Sequence, residues 1–395
     1  MKKVHTLTLL KEFYPYIKET SFRLKLFTIL TAGSEQPHWF NNQIRINSFF
    51  PPYPSQSFDR IVDIIKNQKR LPHTIDFAIT SKCPFQCPHC SYGKRKTVDL
   101  SSNEILKIIG EIKELGTAIL GITGGEPMTR GDLEQIIASC SPELSTILYT
   151  TGYDLTKKRA QALYDANVGS VFVGIDSVDP KVQDEVRRKK GTWELGIQAL
   201  KICSETGIYT GINTIATREK IHNGELEKIY DLACSLDAGE LGINYPVATG
   251  RWAGRTSHQL NQDELKLLID IRKRLNKKKS GPIVTTPAVY ETKDFMGCLT
   301  GYQCLFIDAA GEVCPCDFTP LSFGNVQEKP LKIIWEEMET HFPRPRTECL
   351  MRSIAQNIEG DSLPLPPSES KKMIPKLDEE SLYPKIYRYT RKINK

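Results

Sequence analysis

Residues 80–92 read TSKCPFQCPHCSY and directly follow a strand-like run at 74–79. The loop places Cys83, Cys87 and Cys90 in a C-x3-C-x2-C spacing. Three thiolates this close together can bind three irons of a cubane iron–sulfur cluster, which needs a fourth ligand if protein alone is to close it. The spacing therefore predicts a metal-binding loop at the end of a strand, with one iron left for another ligand.

The same cysteines are also compatible with a zinc knuckle or a redox C-x-x-C pair. Zinc sites usually combine two pairs of Cys or His ligands. A histidine, His89, lies between two of the cysteines, and that position works against its binding the same metal as its neighbours. The loop alone leaves both interpretations open, and the rest of the chain has to decide between them.

Length, composition and hydropathy limit the classes of protein to which this chain can belong. The 395 residues, 39% of them hydrophobic and 25% charged, suit a globular chain of two or three domains, and the net charge of +6 is too dispersed to indicate a nucleic-acid partner. No apolar run approaches the roughly 20 residues that span a bilayer, and residues 6–10 are too short for a signal-peptide core. We therefore expect a cytoplasmic protein without a transmembrane segment, in which clustered cysteines are metal ligands rather than disulfides.

A strand–helix alternation begins with the strand before the cysteine loop. Strand-like runs lie at 75–80, 118–123, 146–150, 170–175, 208–214 and 241–245, and amphipathic helices separate them, most clearly at 101–115. Six βα units in series predict a parallel sheet with right-handed crossovers. In such folds ligands collect at the carboxyl ends of the strands. The cysteine loop stands at one of these ends.

The second strand-like run ends in Gly124-Gly125-Glu126-Pro127. Two glycines allow a tight turn whose backbone can approach a ligand, and Glu126 could pair with an ammonium group, although an ordinary turn explains the four residues alone equally well. Following a strand, about 35 residues after the cysteine loop, this GGEP motif resembles that of the radical S-adenosylmethionine (radical SAM) superfamily. The resemblance implies a partial (βα)6 parallel-strand barrel and a [4Fe–4S] cluster on Cys83, Cys87 and Cys90, with SAM chelating the open iron and the GGEP motif binding its amino end.

The resemblance also suggests further SAM-binding residues. It places His89 near the adenine, Asp176 at the ribose, Arg187 at the carboxylate and Asn213 in the nucleoside pocket. Gly174 stands where relatives usually have a serine, so one hydroxyl contact is not expected here. A helix cap for Asp176 and a surface charge for Arg187 remain alternatives.

A cysteine-rich segment follows a compositional change near residue 280. It contains Cys298-x2-Gly301, the run IDAAGEV at 307–313, which predicts a β-hairpin, then Cys314-Pro-Cys316, Gly324-Asn-Val and Cys349. This pattern resembles the SPASM or twitch-type domains of radical SAM enzymes, which carry auxiliary iron–sulfur clusters. Because only five cysteines are present, the resemblance implies one auxiliary [4Fe–4S] cluster, on Cys298, Cys316 and Cys349 with Cys304 or Cys314. Zinc remains an alternative for this segment.

Four segments are predicted: an N-terminal extension of mixed helical and extended structure (1–72), a radical SAM core (73–280), a SPASM/twitch-like domain (281–352) and a tail (353–395). The resemblance implies an enzyme that reductively cleaves SAM to a 5′-deoxyadenosyl radical and abstracts hydrogen from a substrate. It also implies a low-potential electron donor such as ferredoxin or flavodoxin. We expect a peptide or protein substrate. A small molecule (a sugar, cofactor or natural-product precursor) is the alternative, and a non-catalytic zinc- or nucleic-acid-binding scaffold is the alternative of another class.

Overall fold

The computed structural model describes residues 2–4, 6–13, 36–67, 69–95, 98–358, 363–377 and 383–387. Its strands are β1 (Lys2–Lys3), β2 (His38–Phe40), β3 (Gln43–Arg45), β4 (Thr74–Thr80), β5 (Ile119–Gly124), β6 (Ser145–Thr150), β7 (Ser170–Gly174), β8 (Thr210–Ile215), β9 (Glu240–Asn244), β10 (Ile283–Thr285), β11 (Cys304–Ile307) and β12 (Val313–Cys314).

Its helices are α1 (Thr6–Glu12), α2 (Gln56–Asn67), α3 (Ser102–Glu114), α4 (Leu133–Cys140), α5 (Lys157–Asp165), α6 (Pro180–Arg187), α7 (Thr192–Thr206), α8 (Arg218–His222), α9 (Glu225–Ser235), α10 (Gln262–Asn276), α11 (Pro287–Tyr290), α12 (Leu331–Met338), α13 (Leu350–Ile354) and α14 (Pro367–Met373). Short 3₁₀ turns lie at Pro127–Thr129, Gly250–Trp252, Thr256–His258 and Ala355–Asn357.

One sheet of nine strands, ordered β10-β9-β8-β7-β6-β5-β4-β11-β12, carries the fold. Strands β4 to β9 pair in chain order and all in parallel, with helices between them, which confirms the predicted parallel-strand architecture. Strand β10 was not predicted; it adds in parallel to β9 although it lies beyond residue 280. The predicted segment boundaries themselves stay predictions.

The cysteine-rich segment is joined to this sheet directly. Strands β11 and β12 form the predicted antiparallel hairpin, and β11 pairs in parallel with β4, the strand that precedes the cysteine loop. Cys304 lies opposite Thr74, and Ile307 lies opposite Phe77. This pairing, across about 230 residues of chain, brings the two cysteine-containing regions to one end of the molecule.

The side chains of β4 point alternately into the apolar core and into the interior of the partial barrel. Ile75, Phe77 and Ile79 belong to the main apolar core under the helices, where the stripe of α3 also packs. Asp76 lies between them and lines the interior cavity. Since successive side chains of a strand point to opposite faces, one strand supplies both the packing that stabilises the fold and a polar group for the cavity. Helix α3 begins at a capping box formed by Ser101 and Glu104.

The described part of the N-terminal segment packs beneath the sheet. Strands β1 to β3 form a small antiparallel sheet, and α2 lies beside it. Phe13, Ile44 and Phe58 share a second apolar cluster with the barrel-strand residues Ile119, Ile147 and Phe172. Residues 14–35 of the predicted N-terminal extension lie outside the described residues. No helix in the described ranges is both long and apolar enough to cross a membrane.

Candidate active site

A cavity of about 480 Å³ is lined by cysteines of both predicted cluster sites, although Cys298 is not among its lining residues. Its walls include the three cysteines of the first loop, Cys83, Cys87 and Cys90, the glycines Gly124 and Gly125, and the later cysteines Cys304, Cys316 and Cys349. The first loop and the glycine turn follow β4 and β5, so they stand at the carboxyl ends of adjacent parallel strands. The two cysteine groups therefore face a common space.

The glycine turn is hydrogen-bonded to the cysteine loop. Gly125 N donates to the Thr80 carbonyl oxygen at 2.7 Å, and Glu126 N donates to the Lys82 carbonyl oxygen at 2.8 Å. A Cβ on Gly125 would lie only 2.6 Å from the carbonyl carbon of Lys82, so only glycine lets the turn approach the loop this closely. The sequence interpretation requires the cysteine loop and the glycine turn to lie close enough for one small ligand to touch both. This contact meets that requirement.

Asp99 fixes the start of the cysteine loop. Its carboxylate accepts hydrogen bonds from Thr80 Oγ1 at 2.6 Å, Ser81 N at 2.8 Å and Ser81 Oγ at 2.6 Å. These charge-assisted bonds hold the chain just before Cys83. The sequence analysis did not identify Asp99, which lies 16 residues after Cys83 with no motif around it.

Glu126 is hydrogen-bonded to neighbouring residues of the protein. Its buried carboxylate accepts from Met128 N at 3.0 Å, Thr150 Oγ1 at 2.7 Å, and Thr151 N and Oγ1 at 2.8 and 2.6 Å. Neither Glu126 nor Pro127 is among the cavity-lining residues, in contrast to the two glycines. Pairing of Glu126 with an ammonium group stays a prediction, while its observed contacts tie the glycine turn to the end of β6.

Asp176 is the centre of a buried charge cluster. Its Oδ2 lies 2.7 Å from Arg187 Nη2 and 3.5 Å from His89 Nε2, and its Oδ1 lies 3.5 Å from Lys220 Nζ. Burial by itself raises the pKa of Asp176, but the neighbouring charges, Arg187 first, outweigh it and hold that pKa well below its usual range. The cap of α6 is Asp179 instead, so Asp176 has no helix-capping role there. Lys220 was missed by the sequence analysis.

Arg187 links this charge cluster to the first cysteine loop. Its Nη1 lies 4.0 Å from Cys87 Sγ, and its side chain is only 11% exposed, which excludes the surface-charge alternative. A Cβ on Gly174 would lie 2.5 Å from Arg187 Nη2 and 3.0 Å from its Cζ. The glycine in place of the usual serine therefore makes room for the guanidinium. Asn213 and His89 line the same cavity as Arg187, so these predicted SAM-binding residues lie together.

The later cysteines divide into a group of four and a separate one. Cys298 Sγ donates to Thr300 Oγ1 at 3.0 Å, and Cys298 pairs through its backbone with Arg346. Cys304, Cys316 and Cys349 line the cavity together with Thr300, the hydrogen-bond partner of Cys298, and burial raises the pKa of Cys304 well above its usual value. Cys304 thus lies with Cys298, Cys316 and Cys349, the three cysteines already predicted to bind the auxiliary cluster.

Cys314 faces away from that group. It packs with Ala78 and Phe306, and its Sγ lies 3.7 Å from Arg95 Nη1, which in turn lies 3.2 Å from Asp308 Oδ2. Cys314 does not line the cavity. We therefore propose Cys304 rather than Cys314 as the fourth ligand of the auxiliary cluster.

Among the described residues, three carboxyl groups, those of Asp76, Glu291 and Asp317, line the cavity that the two cysteine groups share. Burial, with mutual repulsion from Asp317, raises the pKa of Asp76 to about 8, and burial raises that of Glu291 to about 8. Tyr245 donates a hydrogen bond to Glu291. The sequence analysis missed all three, although an aspartate within the apolar run TIDFAIT and another directly after Cys316 were visible signals.

Comparison with known proteins agrees with this arrangement. The sequence model described as the radical SAM superfamily matches residues 77–233, and the SPASM model, an iron–sulfur cluster-binding domain, matches residues 298–351. The chain belongs to the radical SAM superfamily. This radical SAM protein is 28% identical over 295 residues to the AdoMet-dependent heme synthase of Methanosarcina barkeri, covering 68% of this chain and 83% of that protein. It is also 28% identical over 295 residues to the PqqA peptide cyclase of Rhizobium meliloti, covering 71% of this chain and 78% of that one.

Solved structures show the same fold. SuiB of Streptococcus suis bound to S-adenosylmethionine superposes with a TM-score of 0.58 at 16% identity, covering 70% of this radical SAM protein and 68% of that chain. The anSMEcpe structure with bound AdoMet gives a TM-score of 0.56 at 16% identity, covering 81% and 98%. At this identity the likeness establishes architecture only.

Family membership decides the alternatives left open by the sequence. This radical SAM enzyme takes a [4Fe–4S] cluster and SAM, and its SPASM domain takes auxiliary iron–sulfur. The residues present fit these groups. Cys83, Cys87 and Cys90 line one cavity together with Gly125, where a side chain as small as a methyl group would clash with the cysteine loop. The non-catalytic zinc- or nucleic-acid-binding scaffold is therefore set aside.

Proposed function

We propose that this radical SAM enzyme abstracts hydrogen from a peptide or protein and so modifies one of its residues. The observation that supports the proposal is the shared cavity, whose walls include Cys83, Cys87 and Cys90 as well as Cys304, Cys316 and Cys349. The relative named as a peptide cyclase and the structure of SuiB with its precursor peptide SuiA, a match of TM-score 0.56 at 15% identity, support a peptide substrate.

The chemistry is divided between cofactor and protein. A [4Fe–4S] cluster bound at Cys83, Cys87 and Cys90 would supply the single electron needed for reductive cleavage of SAM to methionine and a 5′-deoxyadenosyl radical, the species that would abstract hydrogen from the substrate. In the proposed arrangement, Cys83, Cys87 and Cys90 hold the cluster, and Gly124 and Gly125 present the backbone to the amino acid end of SAM. Arg187, held by Asp176, offers a guanidinium to the SAM carboxylate.

The size of the cavity favours a substrate that enters by one side chain. Pockets for a single drug-sized ligand measure roughly 300–1,000 Å³, and this cavity, at about 480 Å³, must hold SAM and the clusters as well. The space left beside them suits a side chain rather than a large rigid molecule. A peptide satisfies this condition, because only the residue to be modified has to enter.

Relatives named as heme synthases favour a second candidate, a tetrapyrrole substrate. Haem carries carboxylates, and the cavity wall already holds Asp76, Glu291 and Asp317, with Arg187 the one lysine or arginine among the described lining residues. Arg187 is paired with Asp176. The described wall therefore leaves no second lysine or arginine to pair with haem carboxylates, and burying them unpaired would cost free energy, so the lining favours the peptide.

The test compares substrate classes by label transfer. The anaerobically reconstituted enzyme is incubated with SAM, dithionite and either perdeuterated candidate precursor peptides or a deuterated tetrapyrrole, and the 5′-deoxyadenosine is analysed by mass spectrometry. We expect deuterium to pass from a peptide to 5′-deoxyadenosine. Transfer from the tetrapyrrole alone would overturn the peptide proposal.

Matched cysteine variants provide the control. Cys87→Ala should release no 5′-deoxyadenosine and lose about half of the bound iron, since one of two four-iron clusters is removed. Cys234→Ala replaces an exposed thiol on α9, away from the cavity, and should behave as the wild type. Equal iron content and activity in the two variants would contradict the assignment of the first loop.

A further inference from the structure

A cluster of exposed cations surrounds the loop that holds Cys83, Cys87 and Cys90. Lys82 precedes the first cysteine, and Arg188 and Lys190 lie in the turn between α6 and α7; all three are exposed. Lys189 lies between the last two. We call Lys82, Arg188, Lys189 and Lys190 the cationic rim. Within the described part of the chain, none of these four side chains forms an ion pair, whereas Lys157 on the neighbouring α5 is paired with Glu205.

The cationic rim is fastened to the cluster loop. Gln86 N donates to the Arg187 carbonyl oxygen at 3.4 Å, which joins the α6–α7 turn to the loop. Lys189 Nζ lies 5.0 Å from the centroid of the Phe85 ring and 5.3 Å from that of Tyr153. Phe85 is two residues from both Cys83 and Cys87, so a protein bound on the rim would lie within a few side chains of the cluster.

The acidic groups near the rim do not cancel its charge. Asp99 is engaged by Thr80 and Ser81, and Asp154 pairs with Arg159 at 3.1 Å. Asp184 accepts hydrogen bonds from the backbone N–H groups of residues 191–193. Glu185 and Glu194, the latter in the first turn of α7, are exposed carboxylates that remain near the rim, two against its four cations. The surface over the cluster loop is therefore positive, and Val182, an apolar side chain 44% exposed, lies on the adjoining helix.

We propose that the cationic rim is the docking site of an acidic protein that delivers low-potential electrons one at a time. Each delivery transfers one electron from the reduced carrier to the cluster, which oxidises the carrier by one electron and moves no atom. Since electron transfer between protein-bound centres weakens steeply with distance, the carrier has to dock where the cluster lies nearest the surface. Opposite charge speeds the formation of such short-lived complexes and orients them.

The first experiment separates docking from chemistry by changing the reductant. SAM cleavage without substrate is measured with flavodoxin, its reductase and NADPH, and separately with dithionite, which needs no docking site. In the variant carrying Arg188→Glu and Lys190→Glu, we expect the flavodoxin-driven rate to fall about tenfold at low ionic strength. The dithionite-driven rate should stay unchanged. Added salt should narrow the gap between wild type and variant, because screening removes the attraction.

The control reverses two charges elsewhere. Lys107 and Lys277 are exposed and form no ion pair with described residues, and they lie on α3 and just after α10. Lys107→Glu with Lys277→Glu makes the same change in net charge as the rim variant, so it should leave the flavodoxin-driven rate near that of the wild type. A neutralising variant, Arg188→Gln with Lys190→Gln, should show a smaller loss of the same kind.

A second readout does not depend on activity. Flavodoxin is joined to the cluster-loaded enzyme with a carbodiimide, which links carboxylates to lysines, and the linked peptides are mapped by mass spectrometry. We expect links at Lys82, Lys189 or Lys190, and fewer of them at high salt. Links confined to other lysines would overturn the proposal, as would rim variants that slow both reductants equally or neither. Because SAM cleavage here needs no substrate, the outcome is independent of the peptide proposal.

Discussion

Replacement of Gly125 by alanine tests the contact on which the active site depends. The new Cβ would lie 2.6 Å from the Lys82 carbonyl carbon and 2.8 Å from that of Ser81, where ordinary contacts are well above 3 Å. The loop before Cys83 would have to move by about 1 Å, which strains the 2.8 Å hydrogen bond from Glu126 N to Lys82 O. Overpacking of this kind costs about 1–3 kcal/mol, and a lost hydrogen bond about 1 kcal/mol.

We therefore expect Gly125→Ala to lower the free energy of unfolding by about 2–4 kcal/mol. For a domain of this size that corresponds to a fall of roughly 4–10 °C in the melting temperature of the metal-free protein. Displacement of the loop should also reduce iron binding and SAM affinity after reconstitution. Thermal unfolding followed by circular dichroism, iron analysis and calorimetric titration with SAM measure the three effects.

Gly131→Ala is the matched control, because a Cβ at this exposed position meets nothing within 4 Å. It should match the wild type in melting temperature, iron content and SAM affinity. If Gly125→Ala also matches the wild type in all three, the close approach of the glycine turn does not position the cysteine loop, and the proposed SAM site loses its structural basis.

Three other perturbations probe separate parts of the structure. Asp176→Asn leaves Arg187 and Lys220 buried without their carboxylate. We therefore expect the free energy of unfolding of the metal-free protein, measured in urea, to fall by about 3–5 kcal/mol. An unchanged free energy would show that Asp176 does not stabilise these two buried cations. Cys304→Ala should lose the auxiliary iron, about half of the total, whereas Cys314→Ala should keep it; iron analysis giving the reverse pattern would reassign the fourth ligand. Burial and then Arg45 lower the pKa of His38 to about 4 from its ordinary 6.5, so its stabilising contribution of up to about 3 kcal/mol is complete above pH 6.5 and is lost as pH falls toward 4. His38→Gln should flatten the pH dependence of the melting temperature in that window, and equal slopes for the two proteins would argue against a buried neutral imidazole.

Local sequence was sufficient wherever the chemistry depends on neighbours along the chain. The spacing of Cys83, Cys87 and Cys90 is set by covalent geometry, and the strand-like run before them follows from side-chain pattern. The same holds for the glycine pair at the end of β5, because a tight turn needs particular residue types in succession. The parallel order of β4 to β9 was predictable as well, since short βα repeats leave few other topologies.

Contacts between residues far apart in the chain could be identified only from the tertiary structure. The sequence did not distinguish Cys304 from Cys314 as the fourth ligand of the auxiliary cluster. In the structure, Cys304 lies on β11, which pairs with β4, and lines the cavity, while Cys314 packs with Ala78 and Phe306. Likewise, Gly174 departs from the expected serine, and only the fold shows that Arg187 occupies the vacated space to meet Asp176.

The sequence by itself determined that this chain is a parallel-strand radical SAM protein with two cysteine-rich sites. Tertiary structure alone decided which thiols and which carboxyl groups line the cavity and which cations lie beside the cysteine loop. The physical reason is that motif spacing is fixed by the covalent chain, whereas the convergence of side chains depends on strand register and pleat. A shift of one residue along a strand turns every side chain to the opposite face.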